Sequence, residues 1–187
     1  VWDKDSLEIY DDPISKFGTK IFEKRRTFVE KLNPILQNFY QIISGGKDRA
    51  SVIYESHLLN DSFESLLKES LERDRMLTYT SQGIHKDDLL FEMDSVLIKK
   101  IGSQGQQKSF LISLKLAQMS LVKELTNKTP ILLLDDIFDK LDDHRVSQLI
   151  ELVNRESFGQ IFITDTHRER TESVVKKINE ESIIFEI

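Results

Sequence analysis

Two stretches of this 187-residue chain combine residue types that can do chemistry. The first is Pro130 to Asp142, PILLLDDIFDKLD, in which the apolar run Ile131 to Leu134 leads into Asp135 and Asp136, and a turn then reaches Leu141 and Asp142. A buried parallel strand delivers the residues after it to the crevice at the carboxyl edge of its sheet, where α/β proteins bind ligands. Carboxylates placed there face the ligand; the plainer alternative is a core strand whose acids cap the next helix. The second stretch is Gly102 to Lys108, GSQGQQK. It opens a helix to about Leu125 whose stripe Phe110, Leu114, Ala117, Leu121 and Leu125 recurs at spacings of three and four. The free N–H groups and the dipole at such a helix start attract anions, although many turns of this kind are only caps.

The order of the two stretches carries more than either alone. GSQGQQK, a helix, then ILLLDD and LD resemble the signature helix, Walker B strand and D-loop of ABC-type ATPases. A third stretch, Gln82 to Leu89, reads QGIHKDDL and is similar to the GPHRDDL of the RecF family, bacterial DNA replication and repair ATPases related to SMC proteins. With LLLDDIFDKLD followed by Arg145 and Leu149 at the family's spacing, the resemblance covers roughly the second half of the chain. It departs at Ile84, where the family has proline, at Lys86, where it has arginine, and at Asp139-Lys140.

The resemblance implies a set of roles. Asp135 would hold Mg²⁺ and Asp136 would orient or deprotonate the attacking water, in a reaction that rests on positioning and charge stabilisation. Ser103, Gly105 and Gln106 match the signature motif, with Gln104 in place of its first glycine. In ABC-type enzymes that motif covers the γ-phosphate of ATP bound by the opposite subunit, and Asp142 matches the D-loop aspartate at the same interface. The phosphate-sensing histidine of the family follows the next strand, where this chain has Asp165, with His167 two residues later. The implied protein is a slow ATPase that dimerises on ATP and binds DNA near single-strand gaps, with RecR, RecO and RecA as partners. The chain holds no G-x-x-x-x-G-K-[ST] and begins at Val1, so it reads as a carboxy-terminal part without the Walker A half, inactive by itself.

Composition sets the limits. Asp plus Glu outnumber Lys plus Arg by 32 to 26, a net charge of -6, so DNA contact requires a local patch. Absence of cysteine rules out disulfides and thiolate metal sites. No apolar run approaches the roughly 18 residues of a membrane span. A cytoplasmic protein is the expectation. A non-enzymatic DNA- or protein-interaction module and an ABC-type ATPase of unrelated biology, such as transport, are the competing readings.

The elements that must position these residues follow in chain order. Residues 1–80 read as a mainly helical lobe and 81–187 as the ATPase-head part, an α/β arrangement of parallel strands with helices. Phe17, Ile21, Phe28, Leu32, Leu36, Phe39 and Ile43 mark a helix over Val1 to Ile43, with a break expected at Asn33-Pro34. Lys24, Arg25 and Arg26 either meet DNA phosphate or form a solvated face. Ala50 to Glu55 reads as a strand, Asp61-Ser62-Phe63-Glu64 opens a helix to about Met76, and Met76 to Tyr79 suggests a short strand. His85, Asp87 and Asp88 fit no standard metal spacing. Leu89 to Met93 and Val96 to Ile101 form a hairpin around Asp94-Ser95. Asp142 to Arg155 is an amphipathic helix, Gln160 to Thr164 a strand, Arg170 to Asn179 a helix and Ser182 to Ile187 a last strand.

Overall fold

A computed structural model describes residues 4–46, 48–135, 141–155, 158–166, 171–172, 175–176 and 182–185, with side chains from residue 9 onward. The chain divides into two units, Val1–Lys31 with Val52–Phe91, and Leu32–Ser51 with Glu92–Ile187. Each unit therefore takes one end of the long helix α1 (Lys4–Ser44).

α1 runs unbroken through Asn33 and Pro34, against the expected break. Leu32, Leu36 and Phe39 are buried on either side of the proline, which itself faces solvent. Burial of these residues favours continuation of the helix, and Glu30, whose carbonyl loses its N–H partner to the proline, is an exposed residue. The inward face of the first half also differs from the expected stripe. Ser15, Gly18, Phe22 and Val29 are buried, whereas Phe17, Ile21 and Phe28 are exposed. Positions 15, 18, 22, 25, 29, 32, 36, 39 and 43 make one continuous face at steps of three and four, and Arg25 belongs to it.

In the first unit, α2 (Phe63–Leu77) starts on Ser62, whose hydroxyl accepts the Ser65 N–H. It extends past Met76 to a left-handed Thr78 (φ 61), so the short strand expected over 76–79 is absent. Arg73, Arg75, Met76 and Leu77 are all exposed and are good helix formers, which favours continuation of the helix until that cap. The Phe63 ring lies between two glycines. A Cβ on Gly18 would meet it at 2.1 Å and one on Gly83 at 2.6 Å. Within the QGIHKDDL stretch, Ile84–Lys86 form a 3₁₀ turn before the chain enters a strand at Asp88.

Strands β1 (Ala50–Glu55), β2 (Asp88–Met93) and β3 (Val96–Leu97) form one sheet in that order. The β2–β3 hairpin turns on Asp94 and Ser95, both with positive φ, the pair that a type I′ turn requires. Its second arm is only two residues long, because Ile98–Ile101 winds into a short helix, α3, that delivers Gly102.

In the second unit, α4 (Gln104–Thr126) buries Phe110, Ile112, Leu116, Ala117 and Leu121. Leu125, expected to be inward, is 67% exposed in the last turn before the left-handed Asn127. β4 (Leu132–Asp135) pairs in parallel with β5 (Ile161–Thr164), and α5 (Asp143–Arg155) connects them in sequence. Val146, Leu149, Ile150, Leu152 and Val153 give α5 its buried stripe. Tyr40, at the far end of α1, is fully buried, with its ring 6.0 Å from that of Phe110. Residues 182–185 are irregular, with Ile183 and Phe185 exposed, so the expected last strand is not seen among the described residues. Of the expected helix over 170–179, residues 171–172 and 175–176 are helical and the others lie outside the described residues.

Candidate functional site

The start of α4 is a capping box. Ser103 is the N-cap, its hydroxyl accepts the Gln106 N–H at 3.3 Å, and the Gln106 Oε1 accepts the Ser103 N–H at 2.9 Å. Gln107 donates from Nε2 to the Gly102 carbonyl at 2.8 Å. A Cβ on Gly102 would lie 2.8 Å from the Ile98 carbonyl oxygen, so the turn closes this tightly only because residue 102 has no side chain. Ser103 and Gln104 are exposed, Gly105 and Gln106 half-buried. With Gln106 N–H taken by the serine, the N–H groups of Gln104 and Gly105 remain as first-turn donors without helical acceptors. The four signature positions thus share one turn, whose exposed end carries a hydroxyl, two amides and the positive end of a helix.

Asp135 stands at the carboxyl end of β4, in register with Thr164 at the end of β5, and the Thr164 hydroxyl donates to its Oδ1. The side chain is solvent-exposed. An exposed carboxylate at a strand end suits Mg²⁺, which takes one or two carboxylates and keeps the rest of its shell for water and phosphate. Asp136 lies outside the described residues, as does His167. Asp165 accepts from the Thr171 hydroxyl at 3.0 Å.

Asp142 caps α5. Its Oδ1 accepts the Arg145 N–H at 2.9 Å, its backbone carbonyl accepts from Val146, and its Oδ2 is paired with the Arg145 guanidinium at 3.2 Å. The structure therefore places the sequence-derived residues in three groups: the Ser103 turn, Asp135 with Thr164, and Asp142 with Arg145. No hydrogen bond or ion pair joins the three groups among the described residues.

Two further clusters escaped the sequence reading. Asp48 lies in the turn after α1, with its Oδ2 3.1 Å from the Gln106 Nε2. Nothing in its spacing marks it, since its partner is 58 positions away. In the first unit, the QGIHKDDL turn is clamped to α1. Arg25 donates at 2.7 Å to both the Ile84 carbonyl and the Asp87 carboxylate, whose side chain is only 4% exposed. The Tyr54 hydroxyl donates to the same carboxylate oxygen at 2.5 Å. The bond to Asp87 raises the pKa of Arg25 further, and burial followed by that carboxylate raises that of Tyr54. Arg26 pairs with Glu23 at 2.7 Å and lies over the Phe22 ring. Of the basic run offered for phosphate contact, two members are thus engaged within the protein. His85 bonds the Thr80 carbonyl, and Asp88 accepts its neighbour's N–H.

No protein-family model matches the chain. Among curated proteins it is 53% identical over 186 residues to the DNA replication and repair protein RecF of Flavobacterium johnsoniae, covering 100% of this chain and 52% of that protein. To the protein of the same name from Phocaeicola vulgatus it is 43% identical over 187 residues, 100% of this chain and 50% of that protein. Its fold is similar to that of the recombination mediator protein RecF solved with ATP, with a TM-score of 0.73, 29% identity, and coverage of 89% of this chain and 46% of that one. An SMC head bound to the C-winged helix domain of ScpA shares the fold at a TM-score of 0.52 and 19% identity, over 86% of this chain and 42% of that one. The chain spans about half the length of the curated relatives it matches. The architecture is that of the carboxy-terminal part of an ABC-type ATPase head.

Proposed function

We propose that this chain, homologous along its whole length to about half of RecF, supplies the signature turn and the acid strand of an ATP-controlled DNA clamp acting in recombinational repair. The observation that carries the reading is the Ser103 turn. Its serine and Gln104 are exposed at a capped helix start where the N–H groups of Gln104 and Gly105 have no helical acceptor, the arrangement that would close over the γ-phosphate of ATP held by a second subunit. ATP then joins two copies, and DNA binding follows from dimerisation.

Mg²⁺, when bound with ATP, would neutralise charge on the phosphates. Asp135 would hold it directly or through water at the end of β4, with Thr164 fixing the carboxylate, and Asp136 would orient or deprotonate the attacking water. Asp142 would reach the shared interface from the start of α5. Residues 1–80 would form the helical lobe and 81–187 the head. DNA at single-strand gaps, RecR, RecO and RecA would be the partners, in the cytoplasm. Support comes from the homologues' name and from the likeness to RecF solved with ATP.

Sedimentation of the full-length protein with and without Mg-ATP tests this, comparing wild type with Ser103→Arg. The expected result is an ATP-driven dimer that the substitution abolishes while nucleotide binding survives. A protein that stays monomeric with ATP, or dimerises equally without it, would leave a non-enzymatic DNA- or protein-interaction module as the better account.

A further inference from the structure

We infer that Asp48 is a positioning residue for the signature turn, its carboxylate selecting the orientation of the Gln106 carboxamide that caps Ser103. The inference rests on the reading of that turn given above and adds a residue that no motif contains.

The Gln106 side chain presents an acceptor at one end of its amide and donors at the other, and half a rotation exchanges them with almost no change of shape. Only the oxygen can serve the Ser103 N–H, 2.9 Å away. Asp48, an acceptor alone, stands 3.1 Å from the nitrogen and so favours that one orientation. With the amide reversed, donor would face donor at Ser103 and the cap would be lost.

Asp48 is itself held. Gly45 and Gly46, at φ 82 and 81, turn the chain back from the end of α1 in a conformation that side chains disfavour. The next residues are then pinned by three bonds. Arg49 N–H donates to the Asp94 Oδ1 at 2.9 Å, Asp94 N–H donates to the Arg49 carbonyl at 2.9 Å, and Ala50 N–H donates to the Gln37 Oε1 at 2.6 Å. The carboxylate therefore reaches Gln106 from a fixed backbone rather than from a free loop, and α4 is met both by Tyr40 of α1, through Phe110, and by Asp48 of the turn after α1, through Gln106.

The full-length protein provides two independent readouts. Hydrogen exchange at the first turn of α4 reports the cap, and sedimentation with Mg-ATP reports the dimer. Asp48→Ala is expected to speed exchange of the capped Ser103 and Gln106 N–H groups and to weaken the ATP dimer about tenfold, as for loss of one hydrogen bond to a charged group. Binding of a fluorescent ATP analogue to the monomer is expected to stay as in wild type. Gln106→Glu alone sets two carboxylates against each other and should weaken the dimer at least as much. Adding Asp48→Asn to Gln106→Glu should restore both readouts, because the asparagine amide donates to one glutamate oxygen while the other keeps the Ser103 N–H. Unchanged exchange in Asp48→Ala, or no rescue by the paired variant, overturns the inference. A wild-type protein that fails to dimerise on ATP overturns the trans reading of the turn, while the exchange data still decide the role of Asp48.

Discussion

At the scale of single residues, the sharpest electrostatic consequence of the fold sits at Tyr40. Burial, reinforced by the nearby Asp48 carboxylate and opposed by Arg145, pushes its hydroxyl up to about 12 from 10.0, and that hydroxyl points at the Met93 sulfur, 3.2 Å away. The folded chain thus keeps a neutral phenol where the unfolded chain ionises. The stability tied to this difference is complete below pH 10 and drains away as pH rises toward 12, at about 1.4 kcal/mol per pH unit. Denaturant midpoints measured from pH 9 to 11.5 should therefore fall more steeply for wild type than for Tyr40→Phe, the lysines titrating alike in both. Equal slopes would mean that water reaches the phenol. Places in the fold were legible in the sequence where spacing along one element defines them. The Gly102 to Lys108 stretch was expected to open a helix, as it does, and Asp135 ends an apolar run that is a strand. Arg25 and Asp48 were not legible, because Asp87 and Gln106 are remote in sequence and a charge looks solvated until its partner is known.

Among the elements, α1 shows how a local signal misleads and what corrects it. The basic run at 24–26 looked like a break in an apolar stripe, and the stripe was assigned through Phe17, Ile21 and Phe28, all of them exposed. The true face passes through Gly18, Phe22, Arg25 and Val29, a set in which one member is glycine and one is arginine. Neither reads as core, yet glycine makes room for the Phe63 ring and arginine carries its charge to Asp87. Gly18→Ala tests the first point. Alanine normally strengthens a helix, but here its methyl would fall 2.1 Å from a ring that is 3% exposed. The expected outcome is a loss of about 2 kcal/mol in denaturant unfolding of the full-length protein, as for overpacking of a tight core. Phe63→Leu combined with Gly18→Ala should recover part of that loss, and a neutral or stabilising Gly18→Ala would show that the ring has room to withdraw. α4, α5, β1 and β4 were found close to their expected bounds because each has strong periodicity or a clear cap. The pieces over 76–79 and 182–185 had only short apolar runs, which do not distinguish strand from helix end or irregular chain.

At the scale of the whole molecule, the parallel pair β4–β5 poses a question of coverage. Leu132 and Leu134 are buried, while Ile131 and Leu133 on the alternating face are 59% and 71% exposed, and Phe162, in register with Leu133, is 48% exposed. Parallel sheets are ordinarily covered on both faces, so an apolar face of this kind calls for a neighbour. The curated relatives are about twice as long as this chain, and residues of such additional length are expected to cover this face. Produced as these 187 residues alone, the protein is expected to bind a hydrophobic dye and to associate as its concentration rises. Leu133→Lys combined with Phe162→Lys should suppress both effects, because two charges on one exposed face disfavour self-association without disturbing the buried residues of β4. In the longer protein the same pair of lysines should instead destabilise the fold by several kcal/mol, since unpaired charges would enter a covered interface. Dye binding equal in the two lengths, with the lysine pair tolerated in both, would show that this face meets water in the working protein.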